Sequence, residues 1–76
     1  MEEAALNNLD WNTKRELAGN PGTPPEVLDI LAGDEDWRVR RAVAENPSAP
    51  PELLERLAGD GKWRVREGVA KTPTRL

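Results

Sequence analysis

In this chain of 76 residues, the side chains equipped to grip another molecule are arginine and tryptophan, and both recur at one interval. Trp11, Trp37 and Trp63 stand 26 residues apart. Arg38 and Arg64 directly follow the last two, Arg41 and Glu67 stand three residues further on, and Arg15 adds a charge to the earlier segment. A guanidinium pairs bidentately with carboxylate or phosphate, and an indole offers a flat face for stacking. Such residues suit the capture of an acidic protein surface or a phosphate backbone. Covalent catalysis has no comparable material. There is no His and no Cys, and Ser48 is the single serine, so Ser–His and Cys–His arrangements are impossible. The 14 Asp and Glu residues fall at predicted helix starts and on solvated arcs, without the cleft that a shifted general acid needs. Asp34, Glu35 and Asp36 could ligate a hard cation, but they read better as anions at a helix start. Gly22, Gly33 and Gly59 match no phosphate-loop spacing. No catalytic residue, metal ligand or cofactor is therefore expected, and the chain is not expected to be an enzyme.

The elements that position these residues follow from the repeat. Residues 20–45 laid over 46–71 give 16 identities without a gap, which makes this one short unit written twice. A degenerate half-unit or N-terminal cap occupies residues 1–19, with Asp10 to Pro21 following the pattern of Asp36 to Pro47. Residues 72–76 form a stub that begins another unit. Each unit reads as two short helices. The first starts at Thr23-Pro24-Pro25-Glu26, where Thr23 suits a cap, the prolines suit the first turn and Glu26 completes a capping box. Two prolines permit either an α- or a 3₁₀-helix there. Val27, Leu28 and Leu31 form its apolar stripe, and Gly33 suits a left-handed stop. The second unit repeats this with Leu53, Leu54, Leu57 and Gly59, and has Ala49 in place of Thr23, so that Ser48 becomes the alternative cap. The second helix is predicted over about residues 36–45 and 62–71. Asp34 and Asp60 precede it, and Asn46-Pro47 and Thr72-Pro73 end it.

Around the second helix, Val39, Ala42 and Val43 lie on one side and Trp37 and Ala44 lie nearly opposite. A helix apolar on both sides is sandwiched between layers, as in the inner row of a solenoid. Arg38, Arg41 and Glu45 form its polar arc. Arg40 falls between the apolar groups, with Arg66 and Lys14 at matching positions. These three are expected to cross to an Asp of their own or an adjacent unit, and Asp34 and Asp60 are expected to suit the positive helix starts they precede. With no Phe or Tyr available, Trp11, Trp37 and Trp63 are expected to be the core fillers of their units.

NPSAPPELLERLAGD followed by WRVREGVAKTP resembles the bacterial leucine-rich repeat variant family, and Asp36, Val39, Arg40 and Val43 resemble the second helix of HEAT repeats. The resemblance covers residues 10–76 and implies short paired helices stacked in a right-handed superhelix. The expected fold is thus all-α, a short α-solenoid of about two and a half repeats in a single domain. Members of the family are mostly described without a known activity. Some carry an iron–sulfur cluster on a cysteine-bearing segment, which a chain with no Cys cannot hold.

Function is expected on the Arg-rich row of Arg15, Arg38, Arg41, Arg64 and Glu67, set against an acidic first-helix row of Glu26, Asp29, Glu52 and Glu55. The leading expectation is a protein-interaction module for a partner with an acidic surface. The alternative is a phosphate-backbone contact through the same row, which the net charge of −3 and the acidic Glu45 and Glu67 disfavour. The absence of cysteine fits the cytoplasm, and the acidic N-terminus resembles no signal peptide. No run is long enough to cross a membrane. Met1 favours a complete small protein over one piece of a longer array. The second helix of residues 62–71 is expected to lack a cover, exposing Trp63, Val65 and Val69 and driving homo-oligomerisation through the repeat ends.

Overall fold

The computed structural model describes Leu6 and residues 8–71. The helices whose full extent lies among the described residues are α1 Trp11–Gly19, α2 Pro25–Leu31, α3 Trp37–Glu45, α4 Pro51–Ala58 and α5 Trp63–Ala70. There is no strand among the described residues. The helices α1, α3 and α5 stack side by side in one row, α2 and α4 lie beside them, and α3 touches all four others. The chain is all-α, a short helical solenoid.

The helix boundaries follow the punctuation of the sequence, but the caps differ from expectation. Both first helices are α-helical, with Pro25 and Pro51 at their first positions and Pro24 and Pro50 as caps that make no side-chain bond. Thr23 does not cap α2. It is buried, and its Oγ1 donates to the Leu17 carbonyl at 2.6 Å, tying the loop back to α1. Ser48 does not cap α4 either: Pro50 holds the cap position, and the Ser48 Oγ donates to the Pro21 carbonyl at 2.8 Å. Gly33 and Gly59 take no left-handed turn, since no described glycine has positive φ. The second helices are capped by Asp10, whose carboxylate accepts from Thr13 N, by Asp36, which accepts from Arg38 N, and by Lys62 without a side-chain bond.

The core is aliphatic. Leu28, Leu31, Val39, Val43, Ala44, Leu53, Leu54, Leu57, Val65 and Val69 are buried together with Ala18 and Ala32. Tryptophan as the core filler of each unit is corrected here: Trp11 is 39% exposed and Trp63 51%, and only Trp37 packs partly against the core. The row is tight where α5 meets α3. A Cβ on Gly68 of α5 would lie 3.2 Å from Arg41 Cγ and 3.4 Å from Ala44 Cβ of α3. Aliphatic residues fill such a gap, and each tryptophan, at the first position of its helix, is left at the rim. The expected exposure of Val65 and Val69 is likewise corrected, as both are buried, and Trp63 alone of that trio stands open.

A buried amide joins the units at the opposite end of the row. Asn46, 1% exposed, follows α3 and donates from Nδ2 to the Ala18 carbonyl at 2.6 Å and the Asn20 carbonyl at 2.9 Å. Its Oδ1 accepts from Ser48 N at 2.7 Å. The residue read only as a helix stop before proline thus satisfies carbonyls at the end of α1. Asn46→Ala should lower the unfolding free energy by about 1–3 kcal/mol, because buried acceptors lose their donor. Urea denaturation checks this, and a loss below about 0.5 kcal/mol, the scale of an ordinary surface substitution, would show that the link does not stabilise the stack.

Candidate partner-binding row

The first residues of α1, α3 and α5 place tryptophan and arginine along one edge of the row. Arg38 is held twice: its guanidinium bonds the Asp36 carboxylate at 2.8 and 3.0 Å, and it lies 3.6 Å from the Trp11 ring centroid. The hydrogen bond from Arg38 lowers the Asp36 carboxyl below its ordinary value, and the same bond raises the Arg38 guanidinium. Arg41 bonds Glu45 at 3.1 Å within its helix and Glu67 of α5 at 3.2 Å. Arg15 bonds the Asn12 side chain at 2.9 Å and lies 5.8 Å from the Trp11 ring. Arg64 lies 4.5 Å from Trp63 and 5.8 Å from Trp37, whose ring also has Lys62 at 5.3 Å.

The structure therefore brings Arg15, Arg38 and Arg41 together with Trp11, Trp37, Ala42 and Glu45 around an open groove of about 350 Å³. Arg64 stands one unit along. Glu67 faces Arg41, so it contributes a neutralising charge to the row. The arginines divide into two kinds. Arg38 and Arg41 are satisfied by carboxylates of the chain, while among the described residues Arg15 and Arg64 have no carboxylate in an ion pair. The stacking was missed at the sequence level, although an arginine beside each tryptophan one repeat on was its visible signal.

The residues read as structural form a separate lattice. Lys14 Nζ meets Asp34 Oδ1 at 2.7 Å, and Arg40 meets Asp60 with two bonds of 2.8 and 3.1 Å. Arg40 also donates to the Asp34 carbonyl at 2.7 Å, and Arg66 to the Asp60 carbonyl at 2.6 Å. The aspartates stand two residues ahead of each cap: Asp34 accepts from Asp36 N and Asp60 from Lys62 N. Burial opposes ionisation of Asp60, but the bonds from Arg40 and Lys62 N and the charges of Arg40 and Arg66 outweigh it and hold its pKa below the ordinary value. Asp34 and Asp36 are engaged by Lys14 and Arg38, and no group of three or more potential ligands for a metal ion occurs among the described residues. No described helix is long and apolar enough to cross a membrane.

Two outcomes are expected. Arg40→Ala should cost about 1.5–3 kcal/mol, the range for hydrogen bonds to charged groups, read as a lower denaturation midpoint. Asp60 has a depressed pKa in the folded state, so its stabilisation is complete above its unfolded value and disappears as pH falls through the folded one. The parent should therefore lose stability on acidification below about pH 4, where an unfolded aspartate titrates. Asp60→Asn should be less stable at neutral pH and show a flatter acid limb in pH-dependent melts. Parallel acid limbs would remove Asp60 from this role.

The family profile described as the Leucine Rich Repeat Variant domain matches residues 12–73. No curated protein and no solved structure matches the chain.

Proposed function

We propose that this chain, which belongs to the leucine-rich repeat variant family, is a non-catalytic protein-interaction module that takes an acidic protein surface on the row of α1, α3 and α5. The observation that carries this reading is the pair of arginines that, among the described residues, have no carboxylate in an ion pair, Arg15 and Arg64, standing beside the exposed rims of Trp11 and Trp63. Tryptophan and arginine are enriched among the residues that anchor protein interfaces. A guanidinium already lying against an indole loses less side-chain freedom on binding than a free one, which favours it as an anchor. Helical repeats present such rows as continuous surfaces. Arg38 and Arg41 hold the indoles and helices in place, while Arg15 and Arg64 offer charge outward.

An affinity capture from native lysate, with and without nuclease, tests the reading. The expected result is protein recovered in the presence of nuclease, eluted by raised salt, and lost with Arg15→Glu/Arg64→Glu while circular dichroism stays unchanged. Recovery abolished by nuclease, with a steep logarithmic salt dependence, would replace the acidic protein with a phosphate backbone. Recovery unaffected by the double substitution would remove the row from the site.

A further inference from the structure

The groove between α1 and α3 is built from one face of each helix. Trp11 and Arg15 stand four residues apart on α1, and Arg38, Arg41, Ala42 and Glu45 recur at helical spacing on α3. Its charge runs against that of the chain: three guanidiniums and one carboxylate line it, whereas the chain carries −3. The lining is also ordered along the helices. Trp11 and Trp37 stand at their first positions, Arg15 and Arg41 one turn further on, and Glu45 at the end of α3 with its side chain 42% exposed.

The three cations are not equivalent. Arg38 bonds Asp36, and Arg41 bonds Glu45 and Glu67. Among the described residues, Arg15 bonds a neutral oxygen, Asn12 Oδ1, at 2.9 Å. An incoming carboxylate makes the stronger, charge-assisted bond and takes its place. The apolar side of the groove is ready as well. Arg38, anchored on Asp36, lies 3.6 Å from the Trp11 ring centroid and orders an indole that is 39% exposed. The Arg15 guanidinium lies 5.8 Å from the same centroid. A carboxylate on Arg15 and an apolar group on Trp11 therefore come from adjacent or alternate residues of one extended chain, which advances about 3.3 Å per residue. The groove, about 350 Å³, suits one bulky side chain with its neighbour. It is short for the apolar stripe of a docked helix, whose anchors run over two turns.

We propose that this groove takes a short extended segment of the partner, with one bulky apolar side chain against Trp11, Ala42 and Trp37 and an adjacent or alternate Asp or Glu on Arg15. Glu45 repels a second acid beyond it. The inference rests on the acidic-partner reading of the row and narrows it from a surface to a linear segment.

Selection of a displayed library of random dodecapeptides on the full chain tests it. The expected enrichment is a bulky apolar residue with one Asp or Glu next or next but one to it. A synthetic copy of the enriched peptide should shift the indole N–H resonances of Trp11 and Trp37 and leave that of Trp63 in place. Exchanging its acid for the amide, or Arg15→Gln in the chain, should each weaken binding about tenfold, and both together no more than either alone. The amide peptide probes the pairing on the unaltered chain, whatever Arg15→Gln does to folding. Additive losses, a shift confined to Trp63, or enrichment of acids with no apolar position would overturn the proposal. So would no enrichment at all, and the lysate capture then decides the acidic-partner reading separately. Enrichment of basic peptides would overturn both.

Discussion

Short helices stacked side by side leave many helix ends near the core, and satisfying those ends is the constraint on which the rest of this structure depends. Helices of seven to nine residues have few internal hydrogen bonds relative to their unpaired terminal groups. The aspartate before each second helix meets that constraint on two sides. Asp60 accepts from Lys62 N at the start of α5 and, in the same carboxylate, from the Arg40 guanidinium of α3. The charge that orders a helix start also draws the neighbouring unit against it. Asn46 performs the matching task at the opposite helix ends, where its amide donates to two carbonyls. With both ends tied, small aliphatic side chains suffice for the interior, and the row closes to the separation that Gly68 permits.

That close approach explains where function can reside. The tryptophans stand at the first positions of α1, α3 and α5, with arginines against them. The acids at Asp36, Glu45 and Glu67 then neutralise the inner arginines. The result is a chemically graded edge rather than a uniform cationic strip. Its middle is internally paired, and among the described residues Arg15 and Arg64 are the members of the row without an ion pair. Such an edge suits a partner with a few well-placed carboxylates better than a polyanion of uniform charge, because only part of the arginine content faces outward without a counter-charge.

Much of the fold was legible in the sequence for identifiable reasons. The 26-residue interval, the paired prolines and the Asn-Pro step locate all five helices to within a residue or two. That Arg40 would cross to an aspartate was legible because a cation between two apolar groups requires an acid, while the choice of Asp60 came only with the structure. The tryptophans were misplaced because composition names the largest apolar side chain without saying how much space the helices leave. The roles of Thr23, Ser48 and Asn46 were hidden for a different reason: each bonds to the preceding unit, six to 28 residues away, while capping rules describe only the nearest turn. Arg38 over Trp11 depends on the stacking offset between units, which a single helical wheel does not contain.

The side-chain bonds between units share one further property, their reach along the chain. Apart from the Thr23 hydroxyl, which reaches six residues back to Leu17, they span 20 to 28 residues. Each unit is therefore closed against its neighbour by a loop of nearly constant length, with nearly constant entropy. Order can spread from any one interface to the next, as in a one-dimensional chain of coupled elements. Short and uniform loops also place the chain among topologies that fold quickly. The interface of α3 with α1 carries the Lys14 bridge, the Asn46 amide and the Arg38 stack, and that of α3 with α5 carries the Arg40 bridge to Asp60, the Arg41 bridge to Glu67 and Arg64 toward Trp37.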